Sequence, residues 1–166
     1  AIFIGSKLSW GAHPGVFLVN YADNYLLVGS SKANVDQAAV ALRASIEALP
    51  GGHFSVKQDQ TRHIEEGVTF LGHWLRQVEG HVRVEPTQAN ENAFYNRLIE
   101  GEAKVWSYTN GANAAAPDAV ERATIALGDT WIYARSWLGA FEACDGIADL
   151  LPLVRDQLAS ALKPLG

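Results

Sequence analysis

Residues 17–29 read FLVNYADNYLLVG, two apolar, β-prone runs on either side of an Ala22-Asp23-Asn24 tip. Runs of this kind around a short Asp/Asn turn predict a β-hairpin. With a period of two, Val16, Leu18 and Asn20 fall on one side of the first strand and Phe17, Val19 and Tyr21 on the other. Leu26 and Val28 alternate in the same way with Tyr25 and Leu27. Asp23 is thereby carried on a stiff ribbon, which suits metal-assisted chemistry. Asp and Asn also form turns by bonding nearby backbone, so a plain turn role stands beside the functional one.

Outward from the hairpin, the pattern changes to helical. Ser30 and Ser31 sit at a capping position before KANVDQAAVALRASIEAL, residues 32–49. There Val35, Ala38, Ala39, Leu42, Ile46 and Leu49 form one apolar stripe, and Pro50-Gly51-Gly52 ends it. Residues 53–57 alternate like a strand, 58–62 read as a polar turn, and 67–76 with 81–85 read as a second hairpin turning at Glu79-Gly80. Residues 1–4 read as a short strand, followed by a connection over 5–15. From Thr87 onward the period is helical, through Ala93, Phe94, Arg97 and Leu98 to Ala103, Val105, Trp106 and Tyr108. Residues 110–117 form an Ala/Asn/Gly/Pro connection, and two further helices are expected over 118–141 and 147–162. The expected class is α+β: residues 1–85 a layer with a largely antiparallel sheet and a packed helix, residues 86–166 an all-helical unit.

Composition narrows the functions. The formal net charge of −5, from 13 basic and 18 acidic residues, argues against a protein that wraps a polyanion by bulk electrostatics. Cys144 is the sole cysteine, which excludes an intramolecular disulfide and a thiolate metal cluster. The five histidines lack metal-ligand spacing. The opening residues lack the charged start and long apolar core of a signal peptide, and no run reaches the roughly 20 apolar residues of a membrane span. A cytoplasmic location without membrane association is expected. The chain opens at Ala1 without an initiator methionine, which reads as a processed product or a fragment.

Tyr21-Ala22-Asp23-Asn24 resembles the Tyr-x-Asp-Asp box of reverse transcriptases, set between hydrophobic strands as in the bacterial group II intron and retron enzymes. Later features follow in the family's order. The helix over 32–49 matches the long palm helix, and HFSVKQDQT at 53–61 resembles the strand and lysine-bearing turn after it. Gly67-Val68-Thr69-Phe70-Leu71-Gly72 resembles the primer-grip hairpin. The unit beyond residue 86 stands in the place of the thumb, where WIYARSWLGAF at 131–141 is similar to its aromatic segment.

The resemblance implies an RNA-directed DNA polymerase, a nucleotidyltransferase that holds an RNA template and a DNA primer and uses two Mg²⁺ ions, with Mn²⁺ as a substitute. Metal ions about 4 Å apart activate the attacking hydroxyl and neutralise the triphosphate, and carboxylates are the ligands they favour. It assigns Asp23 as a metal ligand and Asn24 as its catalytic neighbour. Tyr21 and Lys57 would contact the nucleotide or leaving group, with Arg62 a weaker second candidate; Phe70, Leu71 and Gly72 would hold the primer end. An edge-strand lysine and a half-buried tyrosine are the plain alternatives for Lys57 and Tyr21.

Two departures bear on activity. Asn24 replaces the family's second aspartate, and the fingers and the upstream palm strand with its aspartate have no counterpart in these residues. The expectation is therefore a palm-and-thumb portion, inactive alone, that holds Mg²⁺ weakly. A non-catalytic reverse-transcriptase-like nucleic-acid-binding or structural module is the alternative, and an unrelated α+β domain with a chance tetrapeptide is the third. In the helical unit, Arg97, Lys104, Arg122 and Arg135 are candidate phosphate contacts without a basic stripe. Trp137 and Phe141, four apart, are expected to pack the core, as is Cys144, while Asp129 and Asp145 are expected at solvated faces or helix ends.

Overall fold

The hairpin forms where the alternation places it. In the computed structural model, which describes residues 13–51, 53–57 and 60–161, β1 (Val16–Tyr21) pairs antiparallel with β2 (Asn24–Gly29) around a two-residue turn at Ala22-Asp23. Leu18 lies opposite Leu27, and Phe17 opposite Val28, so each face carries alternate residues of both strands. One face, with Leu18, Tyr25 and Leu27, packs on Leu42 and Ile46 of helix α1 (Lys32–Glu47). Gly29 permits the closest approach: a Cβ there would stand 2.9 Å from a methyl of Val35. Ser31 is the residue before the helix, as the sequence predicts, but its side chain makes no capping bond.

The strand expected over 53–57 does not form. Phe54 and Val56 alternate in sequence, yet Val56 packs against the Leu42–Ile46 cluster while Phe54 stays half exposed. A strand needs a ladder of partners for its backbone groups, and alternation alone does not provide one. The segment is held instead by the packing of Val56. Thr61 joins Lys32 in hydrogen-bonding the Asp36 carboxylate, and these two contacts, Lys32 first, hold the Asp36 carboxyl below its ordinary range. The expected strand over residues 1–4 lies outside the described residues.

A second sheet, ordered β3-β4-β5, comprises Val68–Phe70, His73–Val78 and His81–Pro86. Its second turn is the expected Glu79-Gly80. The run over 67–76 is not one strand, because a further turn at Leu71-Gly72 divides it. Both turns have positive φ at both central residues, 50° and 78° at Leu71-Gly72 and 52° and 81° at Glu79-Gly80. Type I′ turns require this, and their twist matches that of the strands they join. The fold is thus α+β with two small antiparallel sheets among the described residues, rather than one.

The chain divides into two units, one of Ala1–Leu71 with Arg76–Gly80 and one of Gly72–Leu75 with His81–Gly166. The second is built on α2 (Gln88–Thr109), α3 (Ala119–Ala140) and α4 (Ile147–Ser160). Thr87 caps α2 by accepting from the Asn90 amide. Helix α3 presents Ala119, Ala123, Ala126, Thr130, Ala134 and Leu138 inward, and these mostly small residues let α2 come close. A side chain at Gly101 of α2 would overlap Thr130, whose hydroxyl bonds back to the Ala126 carbonyl at 2.7 Å. Phe94 and Leu98 of α2, Ala134 of α3 and Val154 and Leu158 of α4 form the centre of the core. Phe94 stacks on Trp137 at 4.1 Å between ring centroids, and Trp137 meets Phe141 at 4.6 Å. The residues expected to pack do so.

Among the described residues no helix is long and apolar enough to cross a membrane.

Candidate functional site

The hairpin tip gathers three of the sequence-predicted residues. Tyr21 and Asn24 lie directly opposite each other across the ladder, and Asp23 occupies the turn between them. Tyr21 and Asn24 share the face that points away from α1, where Phe17, Val19 and Val28 are also exposed. The tip is tight: Ala22 takes φ 52°, a left-handed conformation that costs a residue with a Cβ.

Asn20 braces that conformation. Its amide nitrogen donates to the Ala22 carbonyl at 3.0 Å and reaches the Asn24 carbonyl at 3.4 Å, on either side of Asp23 in sequence. The alternation by itself places Asn20 only on a strand face. The available signal was a lone amide among apolar residues, two positions before a turn.

Asn24 bonds directly to its neighbour. Its amide nitrogen donates to Asp23 Oδ1 at 3.1 Å. Asp23 is exposed, so the carboxylate keeps oxygen available to a ligand, and Asn24 keeps its amide carbonyl oxygen. Two adjacent hard oxygen donors suit Mg²⁺ in kind. They fall short in charge, because one carboxylate is the whole anionic contribution of the tip. No group of three or more His, Cys, Asp or Glu side chains placed to hold a metal occurs among the described residues. By themselves these two side chains offer one charged and one neutral oxygen donor.

The other predicted residues stand elsewhere. Lys57 is exposed at the end of the non-strand segment anchored by Val56. Phe70 is half-buried at the end of β3, and Leu71 is 40% exposed in its left-handed conformation. Gly72, assigned with the helical unit, has a close neighbour that its missing Cβ accommodates. The Asn90 side chain occupies the space a methyl would need, and Asn90 Nδ2 donates to the Gly72 carbonyl at 3.0 Å. The Thr87 amide donates to the same carbonyl at 2.9 Å. The start of α2 thus holds this turn through one carbonyl oxygen.

Asp145 also gains a role beyond a solvated helix end. Its carboxylate accepts from the Val84 amide at 3.1 Å, while its own amide donates to the Val84 carbonyl at 2.9 Å. Cys144 beside it is buried, and burial, then the Asp145 and Glu85 carboxylates, push its thiol above the ordinary range. Such a thiol is a poor nucleophile at neutral pH.

No family model matches the chain, and no curated protein matches it significantly. The functional reading therefore stands on these residues and their arrangement.

Proposed function

We propose that this chain is the rear palm and thumb portion of an RNA-directed DNA polymerase of the bacterial group II intron or retron type. Residues 1–85 would belong to the palm and 86–166 to the thumb. The observation that carries the reading is the hairpin tip: a two-residue turn displays Asp23, with Tyr21 and Asn24 paired beneath it and a helix behind the ribbon. The Phe70-Leu71-Gly72 turn, following at the family's distance, adds to it.

In the complete protein, Mg²⁺ or Mn²⁺ would supply charge neutralisation for template-directed nucleotidyl transfer. Asp23 would give this chain's charged ligand and Asn24 Oδ1 a neutral one. Tyr21 and Lys57 would face the nucleotide or its leaving group, and Phe70, Leu71 and Gly72 the primer end. The RNA template and DNA primer are the proposed partners, together with a fingers and upstream palm region.

One observation favours a second reading, a non-catalytic reverse-transcriptase-like module that binds nucleic acid or serves a structural role. Asn24 gives its amide N–H to Asp23, so the tip carries one charge where a catalytic pair would carry two.

Primer extension on an RNA template by the full-length gene product, with Mg²⁺ or Mn²⁺ and an Asp23→Ala control, separates the two. Extension that vanishes in the control is expected for the polymerase. A folded protein without extension moves the assignment to the non-catalytic module.

A further inference from the structure

Helices α3 and α4 enclose a groove of about 350 Å³ lined by Trp131, Arg135, Leu151, Pro152 and Arg155. This lies toward the lower end of the range of about 300–1,000 Å³ typical of ligand sites. Trp131 also packs against the core cluster of Phe94, Leu98 and Ala134, so the wall it forms is fixed from behind. Leu151 is 45% exposed.

The two arginines differ from Arg122 of α3 and Arg97 of α2. Arg122 pairs with Asp118 one turn back, and Arg97 with Glu100 three residues on. Such spacings put opposite charges side by side on a helix. Arg135 has Trp131, Ile132, Leu138 and Gly139 at those positions, and Arg155 has Leu151, Pro152, Leu158 and Ala159. Neither has a carboxylate there, in a chain with more acids than bases. Arg135 has no hydrogen-bond or ion-pair partner among the described residues. Arg155 bonds only its chain neighbour Asp156, at 3.0 and 3.1 Å, and both side chains are about two-thirds exposed. An exposed pair of that kind is easily exchanged for another.

We infer that the α3–α4 groove docks a short acidic segment of a partner protein. An apolar side chain of that segment lies on Trp131, Leu151 and Pro152, and its carboxylates pair with Arg135 and Arg155. Arginine guanidinium suits this task because its planar fork matches a carboxylate. A nucleic-acid strand fits less well. Strand binding calls for a basic groove along several phosphates, whereas this one has two cations and a mainly apolar wall. The inference is independent of the hairpin tip, and its test involves no polymerase activity.

The experiment is fluorescence anisotropy of a labelled Glu-Leu-Phe-Glu-Glu-Leu peptide with the whole chain, alongside a Lys-for-Glu peptide and a single-stranded oligouridylate. Saturable binding of the acidic peptide alone is expected. Arg135→Glu with Arg155→Glu should weaken it roughly tenfold, while Arg97→Glu, on α2 outside the groove, leaves it unchanged. Both arginines are exposed, so far-UV circular dichroism should be unaltered, and the milder Arg135→Gln with Arg155→Gln pair should show a smaller loss. Absence of binding, or binding indifferent to the paired variants, overturns the inference. So does oligouridylate that displaces the peptide, which would assign the groove to nucleic acid. Self-association abolished by the same variants would assign it to a second copy of the chain and overturns it as well.

Discussion

Asn24 is the residue on which the proposed chemistry turns. It donates to Asp23 and offers an oxygen without charge, so in the proposed site a divalent ion would meet a single carboxylate. Asn24→Asp removes that bond and places a second anion beside the first. Repulsion between the two carboxylates is relieved when a cation binds between them, which is the sign expected of a metal site. Mn²⁺ affinity, followed by titration of its electron paramagnetic resonance signal, should rise roughly tenfold, about 1.4 kcal/mol, a modest value because the tip is exposed and its charges are screened. Equal affinity in the two proteins would remove the metal from the proposal. Asn20, by holding the carbonyls of Ala22 and Asn24, fixes where those oxygens can point.

At the scale of elements, the helical unit depends on how closely α2 and α3 approach, and Gly101 tests this. Alanine is intrinsically favoured over glycine in a helix by about 1 kcal/mol, so an open site would be stabilised by Gly101→Ala. Here the added methyl would run into the Thr130 side chain, which is buried and bonded back to Ala126. Overpacking of a fixed core costs about 1–3 kcal/mol, and it outweighs the propensity gain. The variant should unfold at a lower urea concentration, and Gly101→Ala combined with Thr130→Ala should recover most of the loss. A single variant more stable than the parent would show that the two helices can move apart freely. The Leu71-Gly72 turn belongs to the same scale: the start of α2 holds it through the Gly72 carbonyl, so its shape depends on Thr87 and Asn90.

For the whole molecule, charge sets the expectation. A net charge of −5 gives no general attraction to a polyanion, so any hold on nucleic acid must come from local contacts. In filter binding near physiological salt, the chain alone should retain double-stranded DNA no better than micromolar, the range of non-specific binders at about 10⁻⁴–10⁻⁶ M. Nanomolar retention would mean that the exposed face of the hairpin or the helices carries a stronger nucleic-acid surface than the charge distribution implies.

Much of the architecture was readable in advance because it rests on period and punctuation. Alternation around a short Ala22-Asp23-Asn24 tip gave the first hairpin, though Asn24 proves to be the first residue of β2; the stripe ending at Pro50 gave α1, and Thr87 marked the start of α2. The tip residues were equally legible, since a hairpin's register follows from its turn. Residues 53–57 show the limit: their alternation is local, but a strand exists only when another chain segment completes its ladder. The break at Leu71-Gly72 was hidden because a leucine at φ 50° has no signature of its own. The partners of Gly72, Val84 and Gly101 lie 18, 61 and 29 positions away in sequence, at Asn90, Asp145 and Thr130. Sequence by itself determined most of the elements and the carboxylate at the hairpin tip, because those depend on neighbours along the chain. Only the tertiary structure decided which amide braces that tip, which side chains fill the space over Gly72 and Gly101, and that Arg135 remains without a carboxylate, because these depend on neighbours in space.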